Sequence, residues 1–423
     1  MRNVAIIGAG QAGLVLGFGL LEAGYSVTLF SDRTPEAMLH GTPTALAALF
    51  DPALQIERHL GLNFWEPSFS GCHNLHTRVS GPDGNPALTL SFNLDRPWQA
   101  IDQRLKFSRW MQEFVKRGGK LVVQEMTLPD LEYCAQAYDL VVVATGKGAL
   151  SNLFQRDAQR STHKNPARRL AGGIFTGLRS HPTDSHTFQQ MILPGVGEIF
   201  HQPFYCQGGR DAYAIGFEAY PGGPMDQFDG IQTGQDFVKL SMQLIQQFAP
   251  WNAAVVQEMQ LLDDRAWLCG AITPVVRHPI GQLPSGAIVL GIGDTVILND
   301  PVAGQGANNA TKMAHLVTQR VIKKGDRKFD AGWMQAVFEE FWLEAQYANR
   351  LSDCLLMPQA HHQEVLVAAS HNPDVARDYL YGITHPSSLF PWFFIPEATQ
   401  NYLARRNAPK PEMNLRSEEL IAA

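Results

Sequence analysis

Residues 3–33 read NVAIIGAGQAGLVLGFGLLEAGYSVTLFSDR. The run predicts a buried strand over 3–7, a glycine turn, a helix over about 11–23 and a second strand over 26–30. Gly8, Gly10 and Gly13 spell GxGxxG between the first strand and the helix. Each glycine has its own physical reason: a tight turn, approach of a pyrophosphate to backbone N–H groups, and close packing of helix on strand. The spacing alone is a weak signal. With an apolar strand before it and a second strand after the helix, it argues strongly for a dinucleotide-binding unit at the head of an α/β fold.

The end of the second strand departs from the pattern. An acid normally holds the ribose hydroxyls there. Ser31 takes that position, Asp32 follows, and Arg33 comes next. The ribose contact is either Asp32 or the Ser31 hydroxyl, and the sequence leaves both open. The nearest candidate for a second nucleotide motif, YDLVVVATGKGAL (138–150), gives a buried strand over 139–144 but no glycine triplet. It reads as a strand returning to the same sheet, so one dinucleotide is expected. Lys147 reads as a strand-end lysine near phosphate rather than a catalytic one.

A second glycine-rich stretch starts at Gly291: GIGDTVILNDPVAGQGANNATKMAHLV. The preceding apolar run makes 286–294 a buried strand that ends in Asp294. A carboxylate at that rim suits a sugar or ribityl hydroxyl. Gly304 and Gly306 let a flat ring lie on the backbone. Met313, Leu316, Val317 and Val321 then recur at helical spacing, and Lys323, Lys324 and Gly325 end the helix. Its N-terminus favours negative charge at the glycine cradle by about 0.3–1 kcal/mol, and ~2 when partly buried.

Composition bounds the rest. The chain has 423 residues, 45% of them hydrophobic and 17% charged, with a net charge of −6. That allows a large core, two domains and an appendage. No dense Lys/Arg run is present, which argues against nucleic acid as a partner. Cysteines 72, 134, 206, 269 and 354 are scattered without metal or CxxC spacing, so a reducing, cytoplasmic setting is expected and no metal. Glycines break up the N-terminal apolar run, and no other stretch is long enough to span a bilayer, so no membrane is expected. Residues 75–92 read as a hairpin turned at Pro82-Asp83-Gly84-Asn85. Residues 212–220 alternate like a half-buried strand, 330–358 read as a long amphipathic helix, and 404–423 as a polar, mobile tail. His361-His362 read as satisfied surface histidines, and PWFFIP (391–396) as helix-capping core.

Taken in order, GxGxxG, SDR, IDQRL (101–105), the ATG return strand and GIGDTVILNDPVAGQGAN resemble the FAD-dependent monooxygenases of the hydroxylase fold. Within them the chain is most similar to the oxygenase component of styrene and indole monooxygenases, over about residues 1–330. The resemblance implies an α/β fold with a Rossmann-like FAD-binding domain (1–60, 95–160 and 275–330). It adds a β-sheet substrate domain (61–94 and 161–274) and a helical C-terminal segment (331–423). It implies FAD held by Gly8, Gly10, Ala12, Gly13, Arg104, Thr145, Gly146, Asp294, Pro301, Gly304 and Gly306, with Gln305, Ala307 and Asn308 beside the ring. The ordinary alternative for Arg104 is an exposed helix-end arginine.

Single-component phenol hydroxylases carry an Asp-Gly pair where this chain has Thr145-Gly146, and a histidine where it has Ile297. The resemblance therefore implies the two-component branch. Reduced FAD would come from a separate NAD(P)H-dependent flavin reductase. With O2 it would epoxidise or hydroxylate a small apolar aromatic alkene or indole-like substrate through a flavin hydroperoxide. Such chemistry needs no acid–base residue: the backbone of 304–308 and an apolar cavity suffice. The alternatives are a single-component NAD(P)H-dependent hydroxylase and a nucleotide-binding protein without redox chemistry; a homodimer is left open. Styrene-type members carry Asn and His in the stretch matching 42–58, where this chain has Ala45, Leu46, Ala47, Ala48, Leu49 and Phe50. Two readings stand side by side. Residues 44–50 are a buried helix turn and Trp98 is core, or Ala45, Ala47, Leu49, Trp98 and Pro301 line a pocket without hydrogen-bonding groups.

Overall fold

The computed structural model describes residues 2–146, 148–179, 186–209 and 211–407. Lys147 and residues 408–423 of the expected tail lie outside them. Residues 404–407 are not tail: they close the helix Pro396–Asn407.

The opening stretch folds as read, into strand Asn3–Ile7, helix Gln11–Glu22 and strand Ser26–Ser31. These strands join a six-stranded sheet in the order Ile280–Gln282, Ile288–Gly291, Leu140–Val143, Asn3–Ile7, Ser26–Ser31, Lys120–Val123. All pairings are parallel except the one between the first two. Continuous apolar runs such as Val4–Ile7 and Leu140–Val143 fit this arrangement, because a parallel sheet is covered on both faces. The carboxyl ends of three neighbouring strands bring Gly8, Ala144–Gly146 and Gly291–Asp294 to one edge.

The glycine turn is set by contact distances. A Cβ on Gly13 would lie 1.9 Å from the Gly8 carbonyl oxygen, and one on Gly8 would lie 2.5 Å from that of Ala144. Helix and strands therefore meet backbone to backbone. Gly10 has nothing within 4 Å of its Cβ direction.

A nine-stranded, mostly antiparallel sheet forms the second layer. Its main path runs from Gln260–Leu261 through Arg169–Thr176, Asp211–Ala219, Gly197–Tyr205, Thr187–Leu193, Cys72–Ser80 and Pro86–Ala100 to Ala48–Leu49. The hairpin is longer than read, spanning 72–100, with its turn at 81–85. Residues 45–50 form no helix turn. Ala48 and Leu49 pair with Ala100 and Gln99 as an edge strand, and the helix starts only at Asp51.

The long helix Ala331–Leu356 ties the layers together. Its first half buries Met334, Val337, Phe338 and Phe341 in the core of the parallel sheet. Its second half places Leu351 in a cluster with Phe50, Trp98 and Phe393, so PWFFIP is core as read. His361 and His362 are not surface residues. Both are buried, with ring centroids 3.9 Å apart and both Nε2 atoms unpartnered. The sequence missed this because the helix Ala360–His371 turns these two side chains inward.

Gly13→Ala is expected to destabilise the fold by about 1–3 kcal/mol, as overpacking does. Gly10→Ala is expected to leave stability within roughly 0.5 kcal/mol. Chemical denaturation of the two variants checks the contrast.

Candidate functional site

Two helix N-termini open at the carboxyl edge of the parallel sheet. Helix Gln11–Glu22 starts after Gly10, which provides no side-chain cap. Helix Gln305–Lys324 starts after Gly304, again without a side-chain cap and without an acid in its first turn. Gly304 has φ 63°, and a Cβ on it would sit 3.0 Å from the Phe50 ring. The orphan N–H groups of both first turns are left for an anion or a ring edge. The helices are held side by side where Gly293 meets Ala12: a Cβ on Gly293 would be 2.9 Å from that of Ala12. Gln11 Nε2 spans the pair, donating to Thr311 Oγ1 and to Glu57 Oε1 at 2.8 Å each.

Asp294 lies between the two glycine segments. Its carboxylate is near 4 Å from the Cβ directions of both Gly146 and Gly306. Gly146 N–H donates to Thr295 Oγ1 at 3.1 Å, which docks the return strand on the 293–295 turn. The Thr145 hydroxyl is buried with no partner. At the second strand's end, Ser31 Oγ donates to the Arg33 carbonyl at 2.8 Å. Asp32 is exposed and paired with Arg33 at 3.2 Å.

Arg104 is not an exposed helix-end arginine. It is 4% exposed, bidentate on Asp102, and bonded to Asp263 and the Gly41 carbonyl. Burial opposes its charge, but the two carboxylates outweigh burial and raise its pKa. The guanidinium is thus occupied with protein partners and clamps the loop at residue 41 to the helix Gln103–Lys116.

Asn308 spends its whole amide on protein, and Gln305 its amide nitrogen, while the buried Gln305 Oε1 has no partner. Asn308 accepts from Phe50 N–H at 2.8 Å and donates to the Ala48 and Gly304 carbonyls. It staples the edge strand to the start of the second glycine helix. Gln305 donates to the Ala303 and Ile383 carbonyls, away from the glycine edge. Ala307 packs on Leu49, Ala53 and Leu54. In this region both amide nitrogens are engaged with backbone carbonyls.

Across from Gly304 stands an aromatic row. Phe50 contacts Trp98 at 4.6 Å between centroids, Trp98 contacts Phe188 at 6.0 Å, and Phe188 stacks on Phe200 at 5.7 Å. Trp98 is buried within that row, whereas Ala45 and Ala47 are half-buried and Pro301 is exposed. Two residues along the strand from Phe200 is Gln202, 1% exposed. It donates to the Leu46 carbonyl at 3.0 Å, while its Oε1 has no partner. The stretch 45–50 has no polar side chain, but the wall behind it does. Nothing in the alternation of that strand marked Gln202.

Other buried polar groups also escaped the sequence. Lys106 and Glu57 form an ion pair of 2.6 Å, each about 2–3% exposed, under the first glycine helix. Burial lowers the Lys106 pKa and Glu57 opposes that shift. Residues in this network come from four separate helices, so no local spacing announces it.

The glycine cradle, the open N–H groups and the orphaned Thr145 hydroxyl fit a flavin dinucleotide. Residues 146–254 match the family model "Styrene monooxygenase A putative substrate binding domain". Styrene monooxygenase StyA of Pseudomonas fluorescens is 26% identical over 406 residues, which cover 94% of this chain and 96% of that protein. The chain is a styrene monooxygenase-like, flavin-dependent monooxygenase. Its fold is shared with a flavoprotein/dehydrogenase from Cytophaga hutchinsonii, at TM-score 0.69 and 13% identity, covering 96% of this chain and 99% of that one. The flavin-dependent brominase Bmp2 gives TM-score 0.67 at 14% identity, covering 96% and 98%. These likenesses speak for the fold. Among the described residues no three metal-ligating side chains gather, and no helix is long and apolar enough to cross a membrane.

Asp294→Ala is expected to weaken flavin binding by roughly 1.5–3 kcal/mol, the worth of a hydrogen bond to a charged group. Flavin titration followed by fluorescence checks it; unchanged affinity would remove Asp294 from the site.

Proposed function

We propose that this monooxygenase takes reduced FAD from a separate NAD(P)H-dependent flavin reductase. It would use that flavin and O2 to place one oxygen atom on an apolar aromatic alkene or an indole-like molecule. The observation that carries the reading is the pair of uncapped helix N-termini at Gly10 and Gly304, facing an aromatic row. Gly8, Gly10 and Gly13 would hold the pyrophosphate, and the N–H groups after Gly304 would hold the pyrimidine edge of the flavin ring. Ser31 or Asp32 would hold the adenosine ribose, and Asp294 the ribityl chain. Bound flavin supplies the activated oxygen.

The chain's own residues then have three tasks. The N–H groups after Gly304 offset negative charge on the reduced ring. Phe50, Trp98, Phe188 and Phe200 keep water out and hold a flat substrate. Asn308 keeps that wall at a fixed distance from the glycine turn. No side chain is needed to move a proton to the substrate. The similarity to styrene monooxygenases supports epoxidation, and the absence of an Asp-Gly pair at 145–146 supports the two-component arrangement. The reducing, cytoplasmic setting and the possible second copy of the chain stay as sequence expectations.

With FAD and NADH or NADPH, the pure protein is expected to oxidise almost no nicotinamide, and an added flavin reductase should switch on oxygenation. Rapid nicotinamide oxidation by the protein alone, stimulated by an aromatic, would instead place it with the single-component hydroxylases.

The wall also sets specificity. A shape-only pocket discriminates by about 1–3 kcal/mol per methylene. Gln202 Oε1 adds one acceptor that could meet an indole N–H. Indole is therefore expected to exceed its carbon isostere indene in kcat/KM by no more than about a hundredfold. Gln202→Leu is expected to remove that preference while sparing indene. A preference that survives Gln202→Leu would assign the acceptor elsewhere.

A further inference from the structure

Behind the glycine turn lies a group of buried charges with no part in holding substrate. Glu198 and Glu218 are direct cross-strand partners, so both carboxyls stand on one face of the second sheet. Like charges in that relation repel. Asp300, fully buried, approaches from the turn that leads into Gly304, and its Oδ1 caps Val302 N–H at 3.1 Å. Arg168, 2% exposed, pairs with Glu198 at 3.7 Å and lies 4.1 Å from the Tyr220 ring centroid, and its charge also reaches Glu218 and Asp300; His163 and Asp353 act on Asp300 as well, and Tyr379 faces Glu198. Gln190 donates to Glu198 Oε2 at 3.2 Å. Glu218 Oε2 and Asp300 Oδ2 have no partner.

Charge counting leaves little choice. Three ionised carboxylates against one arginine would bury two uncompensated negative charges, at a cost of several kcal/mol each. A carboxyl that keeps its proton removes one charge and turns an orphaned acceptor into a donor. Burial pushes all three acids upward: Asp300 to about 6, Glu218 well above the usual carboxylate range, and Glu198 in the same direction.

A small cavity adjoins Asp300. It measures about 10 Å³ and is lined by Asn299, Asp300, Ser161, Arg160, Asn349 and Asp353. Asn299 is 5% exposed, and both of its amide atoms lack partners; Asn349 Oδ1 lacks one too. Such a space is the size of one water molecule, and these atoms are what a water would bond. Asp353, at its outer side, is bound to His163 Nε2 at 2.7 Å. Arg160 is paired with Glu339 and Asp157.

We propose that Glu198, Glu218, Asp300 and Arg168 form a buried protonation site. It holds one shared proton at neutral pH and exchanges it with solvent through a water bound at Asn299 and the His163–Asp353 pair. Asp300 is then a positioning residue for the turn 300–304. Losing the proton adds negative charge directly under a turn that, on the reading above, faces an anionic flavin. The three acids titrate as a unit.

The sign follows from linkage. Acids raised in the folded state lend relative stability at low pH, and this is lost as pH rises from the unfolded value, near 4, through the folded one. The test uses Glu218→Gln and Asp300→Asn; the second keeps the Val302 cap. In flavin-free protein, both should raise Tm relative to the parent, by a margin that grows from pH 5.5 to pH 8.5. The affinity of the parent for reduced FAD, measured anaerobically, should fall by about tenfold over that interval, the effect of roughly one unit of coupling. In Asp300→Asn it should change less than about twofold. A pH-independent offset in Tm, or a lower Tm for both variants at every pH, would overturn the protonation site. If the Tm shifts appear while the affinity for reduced FAD is indifferent to pH and to Asp300→Asn, the proton stands and the placement of the flavin at Gly304 falls. A high-resolution crystal structure should show a water on Asn299, and an empty, dry cavity would overturn the solvent route.

Discussion

Everything at the site depends on backbone meeting backbone at the carboxyl edge of the parallel sheet. Gly13 lies so near the Gly8 carbonyl, and Gly8 so near that of Ala144, that no side chain fits between helix and strands. Gly293 repeats the device against Ala12. The two glycine helices are thereby drawn together with their N-termini side by side. A side chain at these positions would push one helix off the sheet, and the paired cradles would separate. The cost is the backbone freedom of several glycines, offset by burial of the strands and helices they bring together.

Around that edge the chain places different kinds of support on different elements. Asn308 ties the edge strand at 48–50 to the second helix. Gln11, Glu57 and Lys106 brace the first helix from beneath. Arg104, with Asp102 and Asp263, pins the loop at residue 41. None of these side chains has to touch a ligand to matter. Each fixes the position of a backbone segment at the glycine edge, which is how a scaffold pre-organises N–H groups and aromatic faces.

The sequence made the glycine edge legible because glycine spacing, strand hydrophobicity and the acid at 294 are local signals. It also gave the first βαβ unit and the long C-terminal helix closely. Of its two readings of 44–50 the helix turn fails, since alanine and leucine favour helix while pairing with Ala100 and Gln99 is a tertiary event. For Arg104 it offered a flavin contact or an exposed helix end, and neither foresaw the buried pairing with Asp263, which lies far along the chain. Gln202, Glu198 and Glu218 were invisible for a related reason: polar residues in an alternating strand are normally taken to face water, and here that face is covered by the rest of the molecule. The glycine motifs announced the paired helix N-termini at the sheet edge, while the polar groups behind them needed the fold.

The central claim is that FAD lies across the two uncapped helix N-termini, with its ring edge at Gly304–Gly306. Comparing the dissociation constants of oxidised FAD and anaerobically reduced FAD for the same protein tests it most directly. The helix terminus should favour the anionic reduced ring by roughly 0.3–2 kcal/mol, so reduced FAD should bind tighter by about twofold to thirtyfold. Tighter binding of the oxidised form would contradict the account.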